Sequence, residues 1–499
     1  MIFLLPKMDF NLTQVLFRNN RDREERTAIV SASRRLSYRE LHSQVNRATH
    51  WLRRRGLKPE QRVLLVMLDS PELVIVFLAV VQAGGIAVPL NPWLSVEDYQ
   101  FYAKDSRASF VVTDHSSSHP LALEFAAPVL DSRSIWEIQS EDESFSETVT
   151  DSDDVAFWLY SSGSTGRPKA VVHAHTDLVV SCETYAREIL QIQPSDVLFS
   201  TAKIFFAYGL GNSLAFPLYF GASVVLDPER TTAERIAEIL RQHRPTIFFS
   251  VPSFFSRLLA RQGEHQMDSV RLWVSAGEHL PVEVFQKWRE VSGKEIIDGL
   301  GTTEMTHIFI SNRPGACKPG SSGRKVPGYD VRITNDLGNR LPPFEIGNLM
   351  VSGDSAALHY WHNREKTREV FRGKWVLTGD KYYVDDEGYY FFSGRADDLF
   401  KVGGSWVIPR EVEKALLSHK AVREAAVVGV KDQQGLIKAR AYVVLHEGFG
   451  AEGMDLRLSQ HLKSSQLQGY MIPRSFQFVS ELPRTFTGKV QRFKLRGQQ

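Results

Sequence analysis

The chain has 499 residues, enough for roughly two to four domains, and its 43% hydrophobic content supports large cores and excludes global disorder. A net charge of +2 excludes a broad basic field, so no nucleic-acid partner is expected. The two cysteines, Cys182 and Cys317, lie far apart, which excludes a disulfide framework and metal-ligand spacing and fits a cytoplasmic protein. No apolar run reaches membrane-spanning length. The opening Met1-Ile-Phe-Leu-Leu-Pro6 is too short for a signal core, and Met8 is an alternative start.

Apolar runs alternate with amphipathic stretches along the first half. Arg62–Met67 reads as a strand, Glu72–Gln82 as a helix closed by Ala83-Gly84-Gly85, and Ile86–Leu90 as the next strand. Phe110–Val112, Val155–Leu159, Val197–Ser200, Ser223–Leu226, Thr246–Ser250 and Leu272–Ser275 continue the series. The alternation predicts doubly wound α/β layers with parallel strands, whose ligands sit outside the carboxyl ends of the strands. The acidic, serine-rich stretch Gln139–Asp154 reads as an exposed connection. From Val326 to Phe392, short strands and turns predict a small β subdomain. A compact α+β segment follows, with a helix over Pro409–His419 and strands over Ala425–Val430 and Ala439–Leu445. It is basic: from Arg395 onward there are 17 Lys and Arg against 10 Asp and Glu.

Three glycine-bearing segments follow apolar strands and are expected to face one crevice. They are Tyr160-Ser-Ser-Gly-Ser-Thr-Gly-Arg-Pro-Lys169 and the turns Ser275–Glu278 and Asp298–Gly301. In the first, glycines allow close backbone approach, and hydroxyls, amides and one lysine suit a polyphosphate. The spacing is not that of a Walker A loop, because Gly163 and Gly166 are too close and Ala170 follows Lys169. A loop of this composition alone also describes an exposed linker.

Further segments change that balance: Asp298-Gly-Leu-Gly-Thr-Thr-Glu304, Thr378-Gly-Asp380, Gly394-Arg-Ala-Asp-Asp-Leu-Phe-Lys-Val-Gly-Gly404 and Pro483-Arg-Thr-Phe-Thr-Gly-Lys489. With the Tyr160–Lys169 loop, and in this order, they resemble the adenylate-forming superfamily of acyl- and aryl-CoA ligases, carrier-loading adenylation domains and luciferases. Lys203–Asn212 and Thr302–Asn312 are similar to its benzoate and anthranilate CoA ligase branch. The resemblance covers almost the whole chain. It implies an N-terminal adenylation domain over residues 1–394 and a mobile C-terminal domain over 395–499, hinged near Asp397. It also implies ATP, Mg²⁺ and coenzyme A: a carboxylate attacks the α-phosphate to give acyl-AMP and pyrophosphate, then a thiol displaces AMP.

The same resemblance assigns residues. Ser161, Ser162, Gly163, Ser164, Thr165, Gly166 and Lys169 hold the β- and γ-phosphates, where donors stabilise departing pyrophosphate. Glu304 is the magnesium ligand and Thr303 contacts the α-phosphate. Gly277, Glu278, His279, Asp298, Gly299 and Leu300 line the adenine slot, Gly301 and Thr302 are further ATP/AMP-binding positions, and Gly277 and Gly301 also border the acid pocket; many relatives carry tyrosine at the position of Leu300. Asp380 accepts the ribose hydroxyls and Arg395 touches ribose or phosphate. Lys489 bridges the acid carboxylate and the α-phosphate, an attraction of about 4 kcal/mol per charge pair at ~4 Å and an effective dielectric near 20. Gly403 and Gly404 line the pantetheine tunnel. Tyr160, Phe206, Ala207, Tyr208, Gly209, Ala276, His307 and Ile308 form the aryl-acid pocket, a flat slot suited to a ring. The superfamily usually has glycine where this chain has Ala170.

These assignments imply an aryl-CoA ligase for benzoate-, anthranilate- or hydroxybenzoate-like acids. A stand-alone adenylation enzyme that loads a carrier protein is the alternative within the superfamily. A non-catalytic nucleotide-binding protein on the same fold is the alternative outside it. A homodimer is left open.

Overall fold

The computed structural model describes residues 9–114, 127–138, 150–161, 168–260, 267–396, 398–402, 405–432, 436–465, 467–484 and 490–496. Ser162, Gly163, Ser164, Thr165, Gly166, Asp397, Gly403, Gly404 and Lys489 lie outside the described residues. The chain divides into two compact units. The first comprises Met1–Arg332, Met350–Thr378 and Val384–Phe391; the second comprises Ile333–Leu349, Gly379–Tyr383 and Phe392–Gln499.

The first unit carries two large sheets. The seven-stranded sheet runs His359–Tyr360, Lys169–Ala174, Val155–Ser161, Ile86–Leu90, Arg62–Val66, Phe110–Thr113, Val129–Asp131. The nine-stranded sheet runs Arg324–Lys325, Ile308–Ser311, Ile296–Gly301, Leu272–Ser275, Ile247–Ser250, Val197–Ser200, Ser223–Val225, Thr27–Val30, Arg35–Ser37. Their interiors are parallel, as the alternation predicts, because helices must cross back between neighbouring strands. One such helix, Pro71–Gln82, shows how the sequence sets an element: Ser70 accepts a capping bond from the Leu73 amide, and Pro71 pre-sets the first turn. Its residues are apolar all round and almost all buried, as befits a helix packed on several sides.

Toward one side of each sheet the pairing turns antiparallel. Val155–Ser161 turns back antiparallel into Lys169–Ala174, and Ile296–Gly301 turns back into Ile308–Ser311. The Asp298–Gly301 turn is therefore a strand. Gly299 and Gly301 make this possible: a Cβ on Gly299 would lie 2.9 Å from Ile308 Cγ2, and one on Gly301 would lie 2.6 Å from the His307 carbonyl oxygen. Ala170 sits in regular pairing opposite Tyr160, with no left-handed backbone to demand glycine there.

Between residues 330 and 395 the chain forms a five-stranded sheet from Asp330–Thr334, Gly347–Ser352, Trp375–Val384, Phe371–Arg372 and Tyr390–Arg395. Further on, Val422–Lys431, Ile437–Leu445 and Ser475–Phe478 form a three-stranded sheet. Helices Pro409–Leu417 and Met454–Lys463 pack on it through Val412, Leu416, Leu458 and Leu462.

Candidate functional site

The hairpin of the seven-stranded sheet ends with Ser161 opposite Lys169, so the connection between them leaves from the ends of these two strands. The Ser161 hydroxyl is buried and has no hydrogen-bond partner among the described residues. Strand His359–Tyr360 pairs antiparallel with Lys169–Ala174 and brings Tyr360 beside Lys169. The Lys169 ammonium lies 3.4 Å from the Tyr360 hydroxyl and 3.9 Å from Glu304 Oε1. The Tyr360 hydroxyl donates to Glu304 Oε1 at 2.7 Å. Both charged side chains are largely buried, 17% exposed for Lys169 and 15% for Glu304, so their attraction is less screened than at an open surface.

Glu304 stands in a single 3₁₀ turn, Thr303–Met305. Its backbone carbonyl accepts from the Ala357 amide at 2.8 Å. Thr306 follows with φ +65° and ψ −47°, and the His307 amide donates to the Met305 carbonyl at 2.7 Å. This is the rare form of γ-turn, strained for a β-branched residue by about 1–3 kcal/mol. The Thr306 hydroxyl holds it by donating to the Ser355 carbonyl at 2.9 Å. The turn ends one functional segment and begins another: Glu304 precedes it and His307 follows it.

His307 is 2% exposed and surrounded by rings, with centroids of Phe216 at 4.6 Å, Tyr185 at 5.3 Å and Tyr208 at 5.5 Å. Burial pushes its pKa down to about 3, so the imidazole is neutral. Tyr208 is the second residue of the helix Ala207–Leu210, which follows the loop carrying Phe205 and Phe206. Phe205 is buried against Trp93, whereas Phe206 is 39% exposed. Gly209 is required by the fold of this loop, because a Cβ there would lie 2.0 Å from the Lys203 carbonyl oxygen. Ala276 and Ile308 are buried.

On the nucleotide side, strand registry sets Ser275 beside Asp298. Ser275 is fully buried and its hydroxyl has no partner among the described residues; the Thr302 hydroxyl is in the same condition. Gly277 has φ +83° and, with Glu278, is exposed, while His279 and Leu300 are partly buried. In the second unit, Gly379 adopts φ +78° and Asp380 Oδ1 accepts from Arg395 at 2.9 Å.

Tyr160 has its described contacts elsewhere. It shares a strand face with Trp158, opposite to Phe157 and Leu159, so its side chain packs in the cluster containing Tyr99, Tyr102 and Trp158. Its hydroxyl donates to Asp105 at 2.7 Å and its ring meets Tyr102 edge-on at 4.5 Å. The described contacts of Tyr160 are with that cluster and none is with the His307 wall. Conversely, sequence reasoning missed Tyr360 and Asn212. Tyr360 is 191 positions from Lys169, and no local pattern reports a strand pairing over that span.

A family model described as AMP-binding enzyme matches residues 16–361, and one described as AMP-binding enzyme C-terminal domain matches residues 411–489. The chain is 44% identical to a benzoate–CoA ligase from Thauera aromatica, over 94% of this chain and 92% of that protein. The crystal structure of an anthranilate CoA ligase in complex with anthranoyl-AMP superposes with a TM-score of 0.89 at 38% identity, covering 99% of this chain and 97% of that one. That of a benzoate CoA ligase from Burkholderia xenovorans superposes with a TM-score of 0.84 at 41% identity, covering 98% and 100%.

Proposed function

The chain belongs to the AMP-binding enzyme family, and from that premise we propose that it is an ATP-dependent aryl-CoA ligase. The acid is a benzoate, anthranilate or hydroxybenzoate. Its carboxylate oxygen bonds to the α-phosphorus of ATP as pyrophosphate leaves; the CoA thiol then bonds to the acyl carbon as AMP leaves. The carrying observation is the Thr303–Ile308 segment, which joins a charged corner at Glu304 to a dry aromatic wall at His307. A ring fits the wall, whose neutral histidine and aromatic faces offer offset and edge contacts.

In this reading Lys169 and Ser161 work with Ser162, Gly163, Ser164, Thr165 and Gly166 on the β- and γ-phosphates. Thr303 meets the α-phosphate. Glu304 would hold Mg²⁺, a hard cation suited to a carboxylate already fixed by the Tyr360 hydroxyl. When bound, that ion neutralises phosphate charge. Gly277, Glu278, His279, Asp298, Gly299 and Leu300 receive the base, with Gly301 and Thr302 as further nucleotide contacts; the buried Ser275 and Thr302 hydroxyls, without partners among the described residues, supply polar atoms for a ligand there. Asp380 takes the ribose hydroxyls with Arg395 beside it. Phe206, Ala207, Tyr208, Gly209, Ala276, His307 and Ile308 receive the acid. The second domain, residues 395–499, turns about Asp397, carrying Lys489 for the first step and Gly403 and Gly404 for the second. Among the described residues no helix is long and apolar enough to cross a membrane.

The test is purified protein with ATP, Mg²⁺ and a panel of aryl and fatty acids, with and without CoA. AMP release that depends on both an aryl acid and CoA supports the proposal. Adenylate without thioester points to a carrier-protein thiol, and no AMP with any acid overturns the enzymatic reading. Lys489→Ala is expected to abolish adenylate formation and spare thioester formation from supplied acyl-AMP.

A further inference from the structure

The helix Ala207–Leu210 passes into a π-helical segment, Gly211–Ala215. Wide turns of this kind are rare and often occur at functional positions. This one carries Asn212, fully buried, to His307 Nε2 at 3.2 Å. The other end of the Asn212 amide donates to Ser200 Oγ at 3.4 Å. The Ser200 hydroxyl donates its own proton to the Ala202 carbonyl at 3.1 Å.

These bonds have one direction. Ser200 has a single proton, and it is used on Ala202, so Ser200 Oγ accepts from Asn212 Nδ2. Asn212 Oδ1 then faces His307, and only an N–H can satisfy it, so the proton sits on Nε2. Nδ1 is left as a bare acceptor, buried and without a partner among the described residues. Gly211 locks the arrangement sterically: a Cβ there would lie 2.4 Å from His307 Cδ2.

We propose that Ser200 and Asn212 are positioning residues that set the His307 tautomer, and that His307 Nδ1 thereby selects benzoates bearing a ring N–H or O–H donor over unsubstituted benzoate. The proposal rests on the aryl-acid reading above. An amino or hydroxyl substituent completes the hydrogen bonding of a buried acceptor, whereas benzoate leaves it unpaired.

The test measures kcat and KM for benzoate and for 2-, 3- and 4-amino- and hydroxybenzoates. In the wild type, the best donor-bearing acid is expected to exceed benzoate about tenfold or more in kcat/KM. Asn212→Asp should hold His307 as an imidazolium with a proton on Nδ1 and lower that ratio about tenfold, mainly through KM for the donor-bearing acid. Ser200→Ala should lower the ratio less, because the amide loses only its orienting partner. A wild-type ratio near one, or a ratio that neither substitution moves, overturns the proposal while benzoate turnover leaves the ligase reading intact. If the variants fail to fold, ¹⁵N-histidine NMR of the wild type, assigned by difference from His307→Gln, reads the tautomer directly. An unprotonated Nδ1 supports the proposal and a protonated Nδ1 overturns it. Failure to activate any aromatic acid is the separate result that overturns the ligase reading itself.

Discussion

The charged corner and the aromatic wall lie on either side of one γ-turn, yet they solve opposite problems. At the corner, Lys169 and Glu304 are side chains of opposite charge type, 17% and 15% exposed, with the Tyr360 hydroxyl between them. A highly charged ligand can enter such a site by exchanging one set of charge-assisted bonds for another. At the wall, His307 is neutral and 2% exposed, packed against rings. There an unpaired polar group cannot turn to water, so each mismatch with a ligand costs its full desolvation. The corner is therefore suited to chemistry common to every acid, and the wall to choosing the acid. Substitutions should separate the two effects.

The largest effect is expected from Glu304→Gln. It removes the carboxylate charge at the corner and should lower acid-dependent pyrophosphate exchange on the order of a hundredfold or more. The loss should be the same for every acid in the panel. A change in acid preference without a general loss would break the division between corner and wall. Tyr360→Phe is milder. It removes one hydrogen bond to a charged group, a contribution of about 1.5–3 kcal/mol, so kcat/KM for ATP should fall at least about tenfold. The Mg²⁺ concentration for half-maximal rate should rise with it. An unchanged Mg²⁺ dependence would mean that the hydroxyl only supports packing.

The two regions were also unequally legible in the sequence. Local signals carried the parallel core. Ile86–Leu90, Val197–Ser200 and Leu272–Ser275 are the strands that the apolar runs indicate, since burial on both faces writes itself as a mostly apolar run without charged residues. The return strands were hidden. Asp298–Gly301 reads as a turn because its glycines look like loop residues, whereas they are there to let Ile308–Ser311 approach. Tyr160 shows another limit: its position beside the phosphate loop suggested the acid pocket, whereas its ring meets Tyr102 and its hydroxyl meets Asp105, contacts that no local pattern reports. Tyr360 and Asn212 depend on pairings over long sequence distances, 191 positions for Tyr360 with Lys169 and 95 for Asn212 with His307. One chain without its fold carries no trace of these.

Gly211→Ala probes the wall from its packing side. The added Cβ would lie 2.4 Å from His307 Cδ2 and 2.8 Å from Nε2, so the ring must shift or the helix must. Overpacking of this kind costs about 1–3 kcal/mol. The expected result is a KM for aromatic acids raised roughly several-fold, a lower melting temperature and an unaltered KM for ATP. A rise in the KM for ATP of equal size would show that corner and wall move together through the γ-turn.

The smallest effect is in the pH dependence of stability, and its sign can be worked out. Burial lowers His307 to about 3 and His175 to about 4, from an ordinary value of 6.5. His175 Nδ1 accepts from the Leu12 amide at 3.2 Å, which also requires a ring without a proton there. As pH falls below 6.5, the unfolded chain binds protons at both positions and the folded chain does not, so both histidines lower stability. Asp69 opposes them: burial raises it from 3.8 to about 6, so the unfolded chain releases its proton first as pH rises. Between about pH 4 and pH 6, two groups therefore favour the folded state with rising pH and one disfavours it. The net slope from these three is about one proton, at most ~1.4 kcal/mol per pH unit. His307→Phe removes one of the two favourable groups. Its loss of stability from pH 6.5 to pH 5, measured by urea unfolding, should be smaller than that of the parent by about 1.6 kcal/mol. An equal loss would mean that His307 takes up a proton inside the folded wall, and the wall would then carry a charge as the corner does.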